Sequence, residues 1–270
     1  MPSLQAITAS WEAIQELGPF TNNVWPYISN EMKETKQYLA KLCGVKSSQI
    51  ALTENVTSGC VLPLLGLPFS SGDHLLISDC EHPGIVSACK ELARNKQLNI
   101  DILPVQQLRN GRDGLEATKH SLLENLESGL RPKTRLVVLS HLLWNTGQIM
   151  SISSVVERLS KHKNRPFLLV DAAQSFEQIP IKEAAKKADI YAFTGHKWAC
   201  GPEGLGAVAL SERILEESRP TLVGWRSLQH EGPTDTNEDI PFHIDSRRFE
   251  VATSCIPLLA GLRCSLDLIE

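Results

Sequence analysis

The sequence predicts an α/β fold whose sheet is mostly parallel, with one antiparallel strand and helices on both faces. Short apolar, β-branched segments alternate with amphipathic segments over most of the 270 residues, which is typical of strand-helix-strand units. Segments such as "FLLV" are apolar without alternation, as expected for strands that are covered on both faces. The segment "HKWACGPEG" is too short for a helical crossover, so the strand after it is predicted to run antiparallel to a neighbour.

The predicted strands are short runs rich in Val, Ile and Leu, and the predicted helices are amphipathic. The polar, turn-rich tract 226–249 predicts a surface loop or the border of an active site. Strands are predicted at 49–53, 74–79, 99–105, 134–141, 166–174, 189–195 and 205–211. Helices are predicted at 1–17, 29–43, 84–97, 115–128 and 151–164, and the final segment "LLAGLRCSLDLIE" has an apolar helical pattern.

The composition is that of an ordinary globular protein, with 42% hydrophobic and 21% charged residues. A net charge of −4 argues against nucleic acid or an anionic membrane as a partner. No apolar run approaches the ~20 residues of a membrane span, and no secretion signal precedes the first helix. The seven cysteines are scattered, without a C-x-x-C pair. This pattern predicts reduced thiols, no metal site and a cytoplasmic location.

Polar residues follow five of the predicted strands. In an open parallel sheet, ligands bind beyond the carboxyl ends of the strands, so these residues are candidates for a site. The segment "NVTSG" also precedes an apolar helix, whose free N–H groups would suit an anion such as a phosphate. The candidates are Asp171 and Gln174; Thr194, His196 and Lys197; Asp79, Glu81 and His82; His141, Trp144, Asn145 and Thr146; and Asn55, Thr57, Ser58 and Gly59.

Together these residue types provide the parts of a site for pyridoxal phosphate. A lysine can bond to the cofactor's aldehyde, and an acid at a strand end can pair with its ring nitrogen. An imidazole or aromatic ring can stack on the cofactor, and a helix N-terminus can hold its phosphate. Asp171 precedes Lys197 by 26 positions (197 − 171), the length of one strand-connection-strand step. Both side chains can therefore face one cavity.

Each residue also has an ordinary structural explanation. A lysine after a strand is usually solvated, and an Asp that ends a strand is often a cap. Thr57 or Ser58 alone is most simply a helix N-cap. Trp144, Trp198 and Trp225 belong to a residue type that more often packs than lines a site. The cofactor hypothesis therefore depends on the combination of residues and not on any one of them.

The chain resembles the class V aminotransferase-like, fold-type I pyridoxal-phosphate enzymes, a group that includes cysteine desulfurases and cysteine/cystine lyases. The resemblance lies in "TENVTSGC", "SDCEHPG", "LSHLLWNTGQ", "LLVDAAQS", "YAFTGHKWACGPEG", "VGWRS" and "RRFEVATS". These motifs occur in the family's order from about residue 18 to residue 262. The tracts "DCEHPGI", "SHLLWNTGQ", "FTGHKW" and "RFEVATS" are most similar to the cystine C–S lyase branch.

The resemblance implies a role for each candidate. Lys197 resembles the lysine that bonds to the cofactor, Asp171 the partner of the ring nitrogen, and His82 the imidazole that stacks on the ring. It also implies a homodimer with shared sites. The other implied contacts are Gln174 with the phenolic oxygen; Thr57, Ser58, Thr194 and His196 with the phosphate; Trp225 with the neighbouring subunit's site; and Trp144 and Asn145 with the substrate.

The resemblance also implies an organisation into an N-terminal helical segment at 1–17, a cofactor-binding large domain at 18–250, and the start of a truncated small domain at 251–270. Family members carry ~100 further residues there, including the arginine that grips the substrate carboxylate. None of the seven cysteines matches the catalytic cysteine of desulfurases.

The expected activity is β-elimination from cysteine or cystine, with Lys197 as the base that removes the α-proton. The products would be pyruvate, ammonia and a thiol or persulfide. Alternatives are a cysteine desulfurase, which would yield alanine, another class V epimerase or aminotransferase, and a catalytically silent protein that binds the cofactor. A lysine-dependent aldolase is a further alternative, although it would not need the pair of Asp171 and Gln174.

Overall fold

The computed structural model describes residues 2–17, 24–110, 115–230, 239–252 and 255–269. Its centre is a seven-stranded sheet in the order β1-β7-β6-β5-β4-β2-β3. The strands are β1 (Ile50–Thr53), β2 (His74–Ser78), β3 (Asn99–Leu103), β4 (Thr134–Val138), β5 (Phe167–Asp171), β6 (Ile190–Thr194) and β7 (Gly206–Leu210). All seven strands lie within the predicted ranges.

Strand β7 is the one that runs against the others. It pairs antiparallel with β1 on one side and with β6 on the other, whereas the pairs from β6 through β5, β4 and β2 to β3 are all parallel. The prediction of a mostly parallel sheet with one antiparallel strand is therefore confirmed. The parallel strands end at the same edge of the sheet, which brings their carboxyl ends together.

The helices that the sequence predicted are present, with some changes in their ends. Helix α2 begins before the predicted residue 29, and two short helices, α7 and α8, were not predicted. The helices are α1 (Leu4–Leu17), α2 (Val24–Cys43), α3 (Val56–Leu65), α4 (Pro83–Lys96), α5 (Leu115–Gly129), α6 (Ile152–Ser160), α7 (Lys182–Lys187), α8 (Glu212–Glu217) and α9 (Pro257–Ile269).

The described part of the tract 226–249 is irregular, as predicted. It contains two short 3₁₀ turns, Trp225–Ser227 and Ser246–Phe249, and an isolated bridge between Leu228 and Phe242. Residues 231–238 of the predicted loop lie outside the described residues.

Successive residues of the strands point to opposite faces, and each face is covered by helices. On β5, Leu168 and Val170 pack with helices α2, α5, α6, α7 and α9. Phe167 and Leu169 pack on the other face with α3, α4 and α8. Helices on both faces are therefore confirmed, and the sheet core is apolar on both sides because it meets no water.

Helices α1 and α9 pack against each other at one end of this layer. A Cβ atom at Gly261 of α9 would lie 2.2 Å from Ser10 Oγ and 2.6 Å from the Ala6 carbonyl oxygen of α1. The two helix backbones can approach this closely because Gly261 has no side chain. Cys200 joins the same contact, since its carbonyl oxygen accepts hydrogen bonds from Ser3 N–H (3.0 Å) and Ser265 Oγ (2.9 Å).

All seven cysteines are free thiols, and Cys43, Cys60, Cys80 and Cys89 are buried. None of the described helices combines the length and the apolarity needed to cross a membrane. Within the described ranges, no group of three or more His, Cys, Asp or Glu residues is arranged to hold a metal ion.

Candidate active site

A cavity of about 240 Å³ lies at the carboxyl ends of the parallel strands. Its volume is close to the lower end of the ~300–1,000 Å³ of most ligand pockets. Six of the predicted site residues line it. The lining consists of Val56, Thr57, His82, Ile85, Ser140, Leu142, Trp144, Asp171, Ala173, Gln174 and Lys197.

Asp171 is the last residue of β5 and is only 6% exposed. Its Oδ1 atom accepts a hydrogen bond of 2.9 Å from the Ala173 N–H group. Burial raises the pKa of this carboxyl, while the Ala173 hydrogen bond and the charges of Lys197 and His82 oppose the rise. The acid thus lies within electrostatic reach of both the lysine and the imidazole of the cavity.

Lys197 lies in the short connection between β6 and β7, and backbone hydrogen bonds close this connection into a compact turn. Its carbonyl oxygen accepts from Cys200 N–H (3.1 Å), and the Gly195 carbonyl oxygen accepts from Gly201 N–H (2.9 Å). Cys200 adopts a left-handed backbone conformation with φ of 51°. Because the Cys200 carbonyl is also bound to Ser3, which precedes α1, and to Ser265 of α9, the loop that carries Lys197 is fastened to the body of the protein.

Gln174 is held by a residue whose contribution the sequence did not reveal. The Trp198 indole N–H donates a hydrogen bond of 2.9 Å to Gln174 Oε1. This contact assigns the oxygen of the Gln174 amide to Trp198, so that the NH₂ group remains as a donor. The sequence alone favoured Trp198 as a packing aromatic. Its position directly after Lys197 was the one feature that could have indicated a role in the site.

His82 ends the loop after β2 and is the N-cap of α4. Its Nδ1 atom accepts a hydrogen bond of 3.2 Å from the Gly84 N–H group. In the neutral ring the proton is therefore on Nε2. Trp144 lies edge-on to this ring, with 6.3 Å between the ring centroids, so the two rings form one wall of the cavity.

The N-terminus of α3 forms another wall. Asn55 is its N-cap, with Oδ1 accepting from Ser58 N–H at 3.0 Å and from Ser58 Oγ at 3.4 Å. The structural explanation with Thr57 or Ser58 as the cap is therefore wrong, because α3 begins at Val56 and its N-cap is Asn55, which satisfies one of the free N–H groups of the first turn. Thr57 lines the cavity, whereas the Ser58 hydroxyl is bound to Asn55. The positive end of the α3 dipole is directed at the cavity.

Four further predicted site residues do not line the cavity. Thr194 Oγ1 lies 2.8 Å from His196 Nδ1, so these two side chains are bound to each other. Asn145 interacts with the Cys80 thiol. Trp225 packs edge-on to Trp25, with 6.1 Å between the centroids. The implied role of Trp225 concerns a second chain, and it stays a prediction.

Other strand-end candidates serve the fold. Asp79 Oδ1 accepts from the N–H groups of Val105 (2.8 Å) and Gln106 (3.0 Å). His141 Nδ1 lies 2.7 Å from the Tyr191 hydroxyl, and burial lowers the pKa of this histidine to about 4. A polar residue at a strand end is thus insufficient evidence for a site.

Residues 23–270 match the family model described as aminotransferase class-V. The chain is similar to a solved structure of the cystine C-S lyase C-DES in complex with its reaction product cysteine persulfide. The TM-score is 0.88 and the identity 36%, over 99% of this chain and 69% of that chain. A mutant of C-DES with glycine covalently linked to its PLP cofactor gives a TM-score of 0.86 and 38% identity, over 98% of this chain and 66% of that chain.

Among curated proteins, a probable cysteine desulfurase of Mycolicibacterium paratuberculosis is 29% identical over 199 residues. This match covers 74% of the chain and 27% of the relative. The chain therefore spans about a quarter of the length of this curated relative and about two thirds of the solved C-DES chains.

Proposed function

Because the chain belongs to the aminotransferase class-V family, we propose that it binds pyridoxal phosphate and cleaves the carbon–sulfur bond of cysteine or cystine. One observation carries this proposal. The Lys197 amine and the buried Asp171 carboxyl line the same cavity of about 240 Å³. The pairing of a lysine with an acid is what the cofactor requires, because one bonds to its aldehyde and the other pairs with its ring nitrogen.

The residues of the cavity fit the cofactor. Among the described residues, the Asp171 carboxyl accepts one hydrogen bond, from Ala173 N–H to Oδ1, so Oδ2 is left to pair with a ring nitrogen. Gln174 keeps its NH₂ group as a donor for a phenolic oxygen, because its Oε1 atom is taken by Trp198. When bound, pyridoxal phosphate supplies an aldehyde and a ring that takes up the electron pair released at the substrate's α-carbon.

The remaining contacts follow from the walls of the cavity. His82 would lie against the ring, and Thr57 with the N-terminus of α3 would hold the phosphate. We also assign Ser58, Thr194 and His196 to the surroundings of the phosphate, on the resemblance described above, although their described hydrogen bonds are to protein groups.

Two residues of the cavity act on protons and charge. The Lys197 amine is a base on a fastened loop and would remove the α-proton of the substrate. Asp171 in its ionised form would stabilise positive charge at the group facing it, and its burial strengthens that interaction. Trp144, at 52% exposure, and the exposed Asn145 are the residues that we propose contact the substrate.

Cleavage that releases pyruvate is favoured over sulfur transfer to a protein cysteine. The identity of 36% over 99% of the chain supports a lyase, whereas the curated relative is named a desulfurase. None of the cysteines is among the residues that line the cavity. The nearest strand-end thiol, Cys80, is 1% exposed, and burial raises its pKa, so it is a poor acceptor of sulfur.

The proposal also includes the domain organisation, the oligomeric state and the location of the protein. A cofactor-binding large domain at 18–250 is supported by the sheet and its cavity, with α1 and α9 outside it. A homodimer is supported by the aromatic pair of Trp25 and Trp225, since Trp25 is 60% exposed. A cytoplasmic location is supported by seven free cysteines.

The test is to incubate the purified 270-residue chain with pyridoxal phosphate, reduce it with borohydride and map the labelled peptide. We expect the label on Lys197 and, with cystine, the formation of pyruvate. Lys197→Ala should lose label and turnover, whereas Lys186→Ala, at an exposed position of α7, should keep both. Alanine as the product would indicate a desulfurase, and a label on Lys197 without turnover would indicate a silent cofactor-binding protein. Label and turnover that survive in Lys197→Ala would refute the proposal.

A further inference from the structure

Glu81 is a buried carboxyl beside the cavity that the proposed function does not use. It lies just after β2, is 6% exposed, and is bound on both oxygens. Its Oε1 atom accepts from Ser78 Oγ (2.5 Å) and from Ser140 N–H (2.7 Å), and its Oε2 atom accepts from Ser140 Oγ (2.8 Å). One side chain thus fastens the end of β2 to the segment that follows β4.

Two neighbours of Glu81 belong to the cavity wall. Ser140 lines the cavity, and so does His82, the next residue in the chain. Strands β2 and β4 are neighbours and pair in parallel, with Ile77 opposite Val138. A change at Glu81 would therefore reach the cavity by two short routes, through the Ser140 hydroxyl and through the backbone of His82.

The charge of Glu81 is not fixed at neutral pH. Burial raises the pKa of this carboxyl to about 7, the Asp171 charge adds to the rise, and the hydrogen bonds from Ser78 and Ser140 oppose it. The Cys60, Cys80 and Cys89 thiols also interact with Glu81, but burial raises the pKa of each of them. These thiols are therefore uncharged near neutral pH. The titratable groups that interact with Glu81 are Asp171, Cys60, Cys80 and Cys89. The charges of Lys197 and His82 act on Asp171.

We propose that Glu81 is a positioning residue whose protonation sets the direction of the Ser140 hydroxyl in the cavity. The ionised carboxylate accepts the Ser140 O–H hydrogen bond, so the hydroxyl proton is directed away from the cavity. After taking a proton from solvent, the Glu81 carboxyl donates to Ser140 Oγ, and the Ser140 proton is released to donate to a ligand. The inference rests on the proposed binding of pyridoxal phosphate, because that ligand would receive the hydrogen bond.

Substitutions can separate this role from a purely structural one. Glu81→Gln keeps the size and the acceptor for Ser78 and for the Ser140 N–H group. Its NH₂ group donates to Ser140 Oγ, as the protonated carboxyl would. This variant should therefore have the properties of protonated Glu81 at every pH. Ser140→Ala keeps the backbone contact and removes only the hydroxyl. Glu91→Gln is the matched control, because Glu91 on α4 is 58% exposed.

The first readout is the absorbance spectrum of the cofactor-loaded chain between about pH 5 and 9, a range that spans the titration of a carboxyl with its pKa raised to about 7. We expect a spectral transition near neutral pH in the wild type and in Glu91→Gln. The transition should be absent in Glu81→Gln and reduced in Ser140→Ala. Thermal unfolding of the apo variants shows whether each one is folded. A wild-type transition that persists in Glu81→Gln would overturn the proposal.

The second readout does not need the cofactor. Carbon NMR of the apo chain with labelled Glu carboxyl groups follows Glu81, which is assigned by its absence in Glu81→Gln. We expect a titration near neutral pH that Ser140→Ala displaces, because the hydroxyl stabilises the ionised form. A Glu81 titration at the ordinary pKa of ~4.3, or one that Ser140→Ala leaves unchanged, would overturn the inference. A chain that takes no cofactor would refute the proposed function, and the NMR titration would still decide the role of Glu81.

Discussion

A buried ion pair between Lys36 and Glu250 should contribute strongly to stability. Lys36 Nζ lies 2.5 Å from Glu250 Oε1, and the two side chains are 11% and 6% exposed. The same oxygen accepts the Leu52 N–H group of β1 at 2.9 Å. Lys36→Met removes the cation and leaves the carboxylate buried with one backbone donor. Breaking a buried pair in this way costs ~3–5 kcal/mol, a large part of the ~5–15 kcal/mol that stabilises most proteins.

Urea denaturation followed by far-UV circular dichroism measures this loss. With a denaturant slope of ~3 kcal/mol/M for a chain of this size, the midpoint should fall by ~1–1.7 M. The control is Lys46→Met. Lys46 Nζ lies 2.8 Å from Glu212 Oε1, but these side chains are 73% and 69% exposed, so the midpoint should not change measurably. The double variant Lys36→Met/Glu250→Gln should recover much of the loss, since Gln carries no charge.

The comparison of the two lysines decides whether burial is the cause. Both changes remove the same ammonium from a Lys–Glu pair of similar length, and the main difference between the pairs is their solvent exposure. Equal midpoints for Lys36→Met and Lys46→Met would refute the reasoning. So would a double variant less stable than Lys36→Met alone, because the uncompensated charge could not then be the source of the loss.

Three further outcomes follow from the site. Trp198→Phe removes the N–H donor to Gln174. The affinity for pyridoxal phosphate, measured by fluorescence titration, should fall about 2–10-fold, as expected for the net loss of a hydrogen bond that contributes ~0.5–1.5 kcal/mol. His141 stays neutral in the folded chain because burial lowers its pKa to about 4 from 6.5. As the pH falls, His141 takes up a proton in the unfolded chain before it does so in the folded chain. The free energy of unfolding should therefore drop by ~3 kcal/mol between pH 6.5 and about 4. Over this range the difference in stability between the wild type and His141→Gln should shrink. Asp171→Asn should raise the melting temperature of the apo chain, because burial raises the pKa of the acid and the amide carries no charge, while abolishing cofactor-dependent turnover.

The strands and the edge of the sheet could be predicted from the sequence because both depend on local patterns. Continuous apolar runs set the strands, and the parallel direction of neighbours places Asp171 and Lys197 at one edge. Helices α7 and α8 were not predicted, because six residues each are too few for a helical period to be visible. The predicted strands 134–141 and 166–174 were too long, since the regular strands end at Val138 and Asp171.

The supporting contacts of the site could not be predicted, because they join residues that are distant in the sequence. Glu81 and Ser140 are separated by 59 positions, and Gln174 and Trp198 by 24. No local pattern in the sequence encodes which of the strand-end residues will meet. Asn55 was not identified as the cap of α3 for a different reason. Three of the four residues at 55–58, Asn55, Thr57 and Ser58, are all of capping type.

What separates the site residues from the structural ones at this edge is how much of their hydrogen-bonding capacity the protein itself uses. One carboxylate oxygen of Asp79 accepts hydrogen bonds from two backbone N–H groups. The buried His141 is hydrogen-bonded to the Tyr191 hydroxyl. The Asp171 carboxyl accepts a single hydrogen bond from the described residues, and the residue is 6% exposed. Burying a polar atom without a hydrogen-bond partner costs free energy. Such atoms are therefore expected where a ligand supplies the missing hydrogen bond. By this criterion Asp79 and His141 hold the strands, whereas we predict that Asp171, which lines the same cavity as Lys197, binds a ligand.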